Sequence, residues 1–136
     1  MKKPIVLRPL YREGKITVAR HKVKGLCLFA GVGLKTGELI VTCPITLIDF
    51  KDVKEGTPLD AYPMWWNSKK DCIAFGVINL LNHAEITNVV LRRDRKKRLI
   101  RAYAKCNIEA GTELTIHYLC KLWFKLFKIP IVVDLT

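Results

Sequence analysis

From residue 15 to residue 118 the chain is a succession of short β-branched and apolar runs cut by turn residues, and this pattern limits the fold more than any other feature. IVL (5–7), KITVAR (15–20) and LCLFA (26–30) are extended in character. KTGELIVTCPITLIDF (35–50) reads as a glycine-marked turn and then a long β-rich stretch. Pro44 is expected to interrupt it, because proline has no N–H to give to a sheet ladder. KDVKEGTPLDAYP (51–63) has the Gly, Pro and Asp content of a polar loop. CIAFGVINLL (72–81) is apolar enough to be buried. NVVL (88–91) and LIRAYAK (99–105) read as a hairpin joined by the basic tip RRDRKKR (92–98). A turn at Ala110–Gly111 then leads into a last strand, ELTIHY (113–118).

The period changes only near the end. In LCKLWFKLFKIP (119–130), Leu119, Leu122, Trp123 and Leu126 recur at i, i+3, i+4 and i+7, with Lys121, Lys125 and Lys128 on the other side. That spacing predicts an amphipathic helix over 119–128, stopped by Pro130, with IVVDLT as a short tail. Many short strands with one helix define a β-rich α+β class. The 136 residues suit a single domain over 1–136, with a core from about 16 to 123.

Charge and cysteine usage narrow the function. Lys and Arg number 24 against 12 Asp and Glu, a net charge of +12, which favours anionic partners. The tip 92–98 carries six cations and one acid, and it allows non-specific phosphate contact. No aromatic is interleaved there for base stacking, which argues against sequence-specific reading of nucleic acid. The five cysteines, at 27, 43, 72, 106 and 120, are odd in number and form no CxxC pair. They fit neither a disulfide framework nor a metal site, and they read as reduced thiols of an intracellular protein. No stretch approaches the ~20 apolar residues of a membrane span, so a soluble protein is expected. In the N-terminal MKKPIVLRPLYREGK, Arg8, Arg12 and Glu13 cut the apolar run too short for a signal peptide.

The common enzyme templates are missing: there is no GxSxG, Walker A, HExxH or GxGxxG. Three separated stretches carry a different pattern. KGLCLFAGVGLKTGELI (24–40) contains G-x-x-x-F-A and then G-E-x-I. NHAEITN (82–88) contains N-H-x(4)-N, and EAGTELTIHY (109–118) contains G-x-E-L-T-x-x-Y. In this order and spacing they resemble the SET domain of protein-lysine methyltransferases, over roughly 22–123. The size, the short central insert and the absence of a cysteine-rich tail are most similar to the minimal viral or bacterial members.

The resemblance implies small curved β-sheets and a knot-like feature, in which the C-terminal strand passes beneath the loop around NHAEITN. It implies S-adenosyl-L-methionine as cofactor and a protein substrate with an exposed lysine, a histone or another basic protein. Gly25 and Leu26 match the turn that contacts the methionine part of the cofactor, and Asn82 and His83 match the pair that holds its amino group and adenine edge. Tyr118 matches the tyrosine at the methyl-transfer centre. Trp123 matches an aromatic that packs on the cofactor, and Tyr62 a tyrosine near the target-lysine channel. Ile116 occupies a channel position that is often Tyr and that shapes the space around the amine. The minimal members lack flanking domains, which leaves room for a homodimer.

The chain departs from the family pattern at Cys27, where a second glycine is usual, and at Ala84, where Ser or Asp is common. Outside the motifs, Asn82 and His83 are ordinary loop-capping residues, and Tyr118 is an ordinary core tyrosine at a strand end. A SET-like module that has lost catalysis and docks through its basic surface is the rival reading.

Overall fold

The structure, a computed structural model, describes residues 9–21, 25–84 and 86–117. Strict alternation in the two runs flanking the basic tip forms the expected hairpin, β8 (Val89–Asp94) with β9 (Leu99–Ala104). Val89, Leu91, Ile100, Ala102 and Ala104 face inward, while Arg92, Arg101 and Tyr103 alternate with them on the other face. β9 also pairs with β4 (Leu39–Ile48), which pairs with β6 (Asp71–Ala74), and β6 carries β5 (Met64–Trp65) at the edge. The result is a five-stranded sheet in the order β5-β6-β4-β9-β8.

Pro44 does not interrupt β4, contrary to the sequence expectation. Residues up to Pro44 pair with β9, and those from Ile45 onward pair with β6. At this change of partner the carbonyl of Pro44 accepts the N–H of Phe75 at 2.9 Å, and Ile45 donates to Arg98 O at 3.0 Å. The missing proline N–H therefore falls where the strand changes neighbours, and no ladder bond is lost.

A second sheet has three strands, β1 (Pro9–Glu13), β2 (Ile16–His21) and β3 (Gly25–Ala30), in that order. β2 and β3 are the KITVAR and LCLFA runs. β1 carries no burial pattern, since all five of its residues are exposed. It forms as an edge because Gly14, at φ 57°, turns the chain back onto β2. The apolar run 72–81 is not one element: after β6 the chain turns at Gly76 and enters a 3-10 turn, Val77–Leu80. Its Phe75 is exposed, while Ile78 is fully buried. A further 3-10 turn, Pro58–Ala61, lies in the expected polar loop.

Between the sheets sits one core of Val18, Leu28, Cys43, Trp66, Ile78, Leu91, Ile100, Leu114 and their neighbours. Burying each large aliphatic side chain contributes about 1.5–3 kcal/mol. Among the described residues there is no α-helix; the expected helix 119–128 and the run 5–7 lie outside them, as does the knot-like passage, which needs 118 onward.

Candidate functional site

Three segments distant in sequence meet at one seam. β7 (Asn82–His83) and β10 (Thr115–Ile116) pair in parallel, with Asn82 beside Thr115 and His83 beside Ile116. The expected strand 113–118 thus shortens, within the described residues, to a two-residue ladder plus an isolated bridge from Glu113 to Phe29. Leu114 N donates to Leu28 O at 2.8 Å and Ala30 N to Thr112 O at 2.9 Å, so β3 is stitched to the same segment.

So short a ladder needs other support, and Asn88 supplies it. Its Nδ2 donates to Glu113 O at 2.8 Å and its Oδ1 accepts from Thr115 N at 2.9 Å. One carboxamide thus stands in for a peptide unit of a missing strand. Lys105 N donates to the backbone carbonyl of Asn88 at 2.8 Å, tying the seam to the end of β9.

Asn82 joins all three segments through its side chain. Its Nδ2 lies 3.3 Å from Leu26 O, 3.2 Å from Cys27 Sγ and 3.1 Å from Glu113 Oε2. His83 meets His117 edge to face, with ring centroids 4.9 Å apart. Gly25, at φ 77°, needs the conformational freedom of glycine, and a Cβ added there would meet nothing within 4 Å among the described residues. Among those residues the space beside the Gly25–Leu26 backbone is open, with the Leu26 carbonyl and the Glu113 carboxylate as acceptors of the Asn82 side chain alongside.

The two departures from the family pattern are accommodated. Cys27 turns inward at 1% exposure, with Sγ 3.7 Å from Gly25 O, and the thiol fills core space. Ala84 acts through its backbone, its N–H donating to Ile116 O at 3.2 Å. The loop closes on β10 without a hydroxyl at 84.

Ile116 belongs to the core at 4% exposure, and Tyr62 is exposed on the wall of a groove also lined by Val77, Asn79 and Leu80. Tyr118 follows His117 directly, but Tyr118 and Trp123 lie outside the described residues. Sequence reading missed Glu113 and gave Asn88 no job, although the second Asn of N-H-x(4)-N was its signal.

The basic tip is less free than its composition suggests. Arg93 is fully buried, donates from Nε to Trp65 O at 3.0 Å and lies over the Trp65 ring. Arg95 covers the Trp66 ring and donates to the Trp66 carbonyl. Arg101 pairs with Asp94 at 3.1 Å, and this guanidinium, after the Lys97 N–H, holds the Asp94 carboxyl below its usual range. Lys96, Lys97 and Arg98 remain exposed. Burial raises the Cys43 thiol and pushes Cys72 up to about 12, so neither is a ready nucleophile. No cluster suited to a metal ion occurs among the described residues, and no helix there is long and apolar enough to cross a membrane.

A curled, strand-rich fold with an Asn-His loop laid against an E-L-T segment defines a SET-type domain. The sequence model of the SET domain matches residues 25–119, and the chain belongs to that family. It is 25% identical over 128 residues to a Schizosaccharomyces pombe histone-lysine N-methyltransferase specific for H3 lysine-37, covering 92% of this chain and 83% of that protein. A crystal structure from Plasmodium falciparum, of a candidate histone methyltransferase, superposes with a TM-score of 0.64 at 25% identity. That match covers 82% of this chain and 99% of the other.

Proposed function

We propose that this chain transfers a methyl group from S-adenosyl-L-methionine to the side-chain amine of a lysine in a basic protein. The observation that carries the reading is the Asn82 side chain spanning Leu26 and Glu113, which joins the three motif segments at one open edge. Membership of the SET family and the likeness to a histone-lysine methyltransferase support it.

The residues present fit the cofactor. Gly25 leaves room for close approach, and the Leu26 carbonyl and Glu113 carboxylate are acceptors suited to an ammonium group. Asn82 and His83 would hold the amino group and the adenine edge, with Trp123 packing on the ring. When bound, the cofactor supplies an electrophilic methyl on a sulfonium.

The attacking lysine must be neutral, yet its ordinary pKa is about 10.4. An apolar channel disfavours the ammonium form, so no strong base is required. In this reading the buried Ile116 side chain, itself in the seam ladder, would wall the channel and limit the space for successive methyl groups. Tyr118, one residue past His117 in sequence, would supply a neutral oxygen to orient the amine. Such alignment contributes up to roughly 7–11 kcal/mol in the best intramolecular cases.

The test is incubation with methyl-labelled cofactor and a panel of basic proteins that includes histones. Label in lysine, reduced on the order of 10²-fold by Tyr118→Phe, is the expected result. No transfer, together with salt-sensitive nucleic-acid binding and no cofactor binding, would instead make the domain a docking module.

A further inference from the structure

A groove of about 640 Å³ lies beside the segment that leads into Asn82. Its walls include Tyr11 and Glu13 from β1, Leu59 and Tyr62 from the polar loop, Ile73 from β6 and Leu80 from the 3-10 turn. Tyr11 is 49% exposed, Leu59 65% and Tyr62 38%, so accessible apolar and aromatic side chains gather at this groove. Strand β1 precedes residues 25–119, which the family's sequence model matches. It is also the edge of its sheet among the described strands, and an extended segment can run alongside such an edge.

Glu13 gives the groove a sign. Tyr11 and Glu13 stand two residues apart on one face of β1. Glu38, Asp49 and Asp94 each have a cation, in Lys15, Lys70 and Arg101. Among the described residues no cation pairs with Glu13. A carboxylate that no described cation pairs, in an otherwise largely apolar groove, is complementary to a positive side chain. The tyrosine faces beside it suit the same occupant.

We propose that this groove seats the substrate segment flanking the target lysine and that Glu13 gives it a preference for an adjacent Lys or Arg. The proposal rests on the methyltransferase reading for the word substrate, and its test separates the two. Glu13 is a specificity-determining residue here and takes no part in the methyl transfer.

The experiment measures fluorescence anisotropy of two labelled peptides, identical except that the central lysine is flanked by arginines in one and glutamates in the other. The protein's overall charge favours the glutamate peptide, so the expected preference for arginine, about three- to fivefold at moderate salt, is diagnostic. Glu13→Gln should abolish that preference and Glu13→Arg should invert it. Glu109→Arg, an exposed acid outside the groove, changes the net charge equally and should leave the preference in place. In parallel turnover assays Glu13→Gln should raise KM for the arginine peptide and leave kcat unchanged. Equal binding of the two peptides by the unaltered protein, or equal effects of Glu13→Arg and Glu109→Arg, would overturn the proposal. Discrimination by binding with no methylation of either peptide would uphold the groove and defeat the enzymatic reading.

Discussion

The five-stranded sheet and the β7–β10 seam are built by different means. In the sheet, ladders of four to six residue pairs join β4, β6, β8 and β9, and polar side chains mostly face outward. At the seam the ladder is two residues long, and the carboxamides of Asn82 and Asn88 and the carboxylate of Glu113 take over. The sheet is a repeating structure that many sequences can satisfy. The seam depends on particular side chains, and the polar groups proposed to meet a ligand also hold the backbone in place. Site and scaffold are therefore separable in the sheet and entangled at the seam.

The junction between the two regions should be the most fragile point. Gly76 has φ 139°, and an added Cβ would lie 2.6 Å from Cys43 Sγ. Gly76→Ala should destabilise by about 3–5 kcal/mol, combining backbone strain with overpacking. Urea unfolding of the single variants and of Gly76→Ala with Cys43→Ala separates these causes: removing the sulfur should recover the packing part and leave the strain. Additive losses would show that the thiol is not the obstacle.

Asn88→Ala should come next, at about 2–4 kcal/mol, because it strands the Glu113 carbonyl and the Thr115 N–H together. Thr42→Ala, at an exposed position of β4 in the sheet, should change stability by less than about 0.5 kcal/mol. Equal effects at the two sites would erase the contrast between the regions. Asn82→Ala should cost less, about 1–2 kcal/mol. Asn82→Asp should be worse than Ala, since it sets a second carboxylate against Glu113; a double-mutant cycle with Glu113→Gln measures that repulsion and should show the Asp variant partly rescued.

The pH response should arise from the sheet. The Asp94 carboxyl is lowered by the Lys97 N–H and then by Arg101, so the folded state binds its proton less readily than the unfolded chain. That stabilisation is present above the ordinary carboxylate range and is lost as pH falls through it. Cys72 runs the other way: its thiol sits at about 12 against an ordinary 9.0 because burial disfavours the thiolate. Stability should therefore decline as pH rises above about 9 and the unfolded chain alone ionises. Thermal melts across pH, with Asp94→Asn and Cys72→Ala flattening the acid and alkaline limbs respectively, check both signs.

How legible each region was in the sequence follows the same division. The β8–β9 hairpin, β2, β3 and the polar loop could be read from alternation and turn chemistry, because periodic burial writes itself into the residue order. β1 could not, since its residues are all exposed and it exists only because β2 offers an edge. Pro44 misled because partner exchange within a strand is a tertiary event with no local signature. At the seam, N-H-x(4)-N and E-L-T were recognisable as motifs, yet their division of labour was not. Only the fold brings Asn88 between Glu113 and Thr115, and only the fold turns Arg93 and Arg95 from an apparent basic tip onto Trp65 and Trp66.

The seam of Asn82, His83 and the Gly25–Leu26 backbone is proposed here as a nucleoside-sulfonium site. Calorimetric titration with S-adenosylhomocysteine probes it, using the unaltered protein and Asn82→Ala verified as folded by its melting transition. One equivalent should bind to the unaltered protein, with affinity at least about tenfold weaker in the variant, corresponding to roughly 1.4 kcal/mol. No binding to the unaltered protein, or equal affinity in the two, would rule this site out.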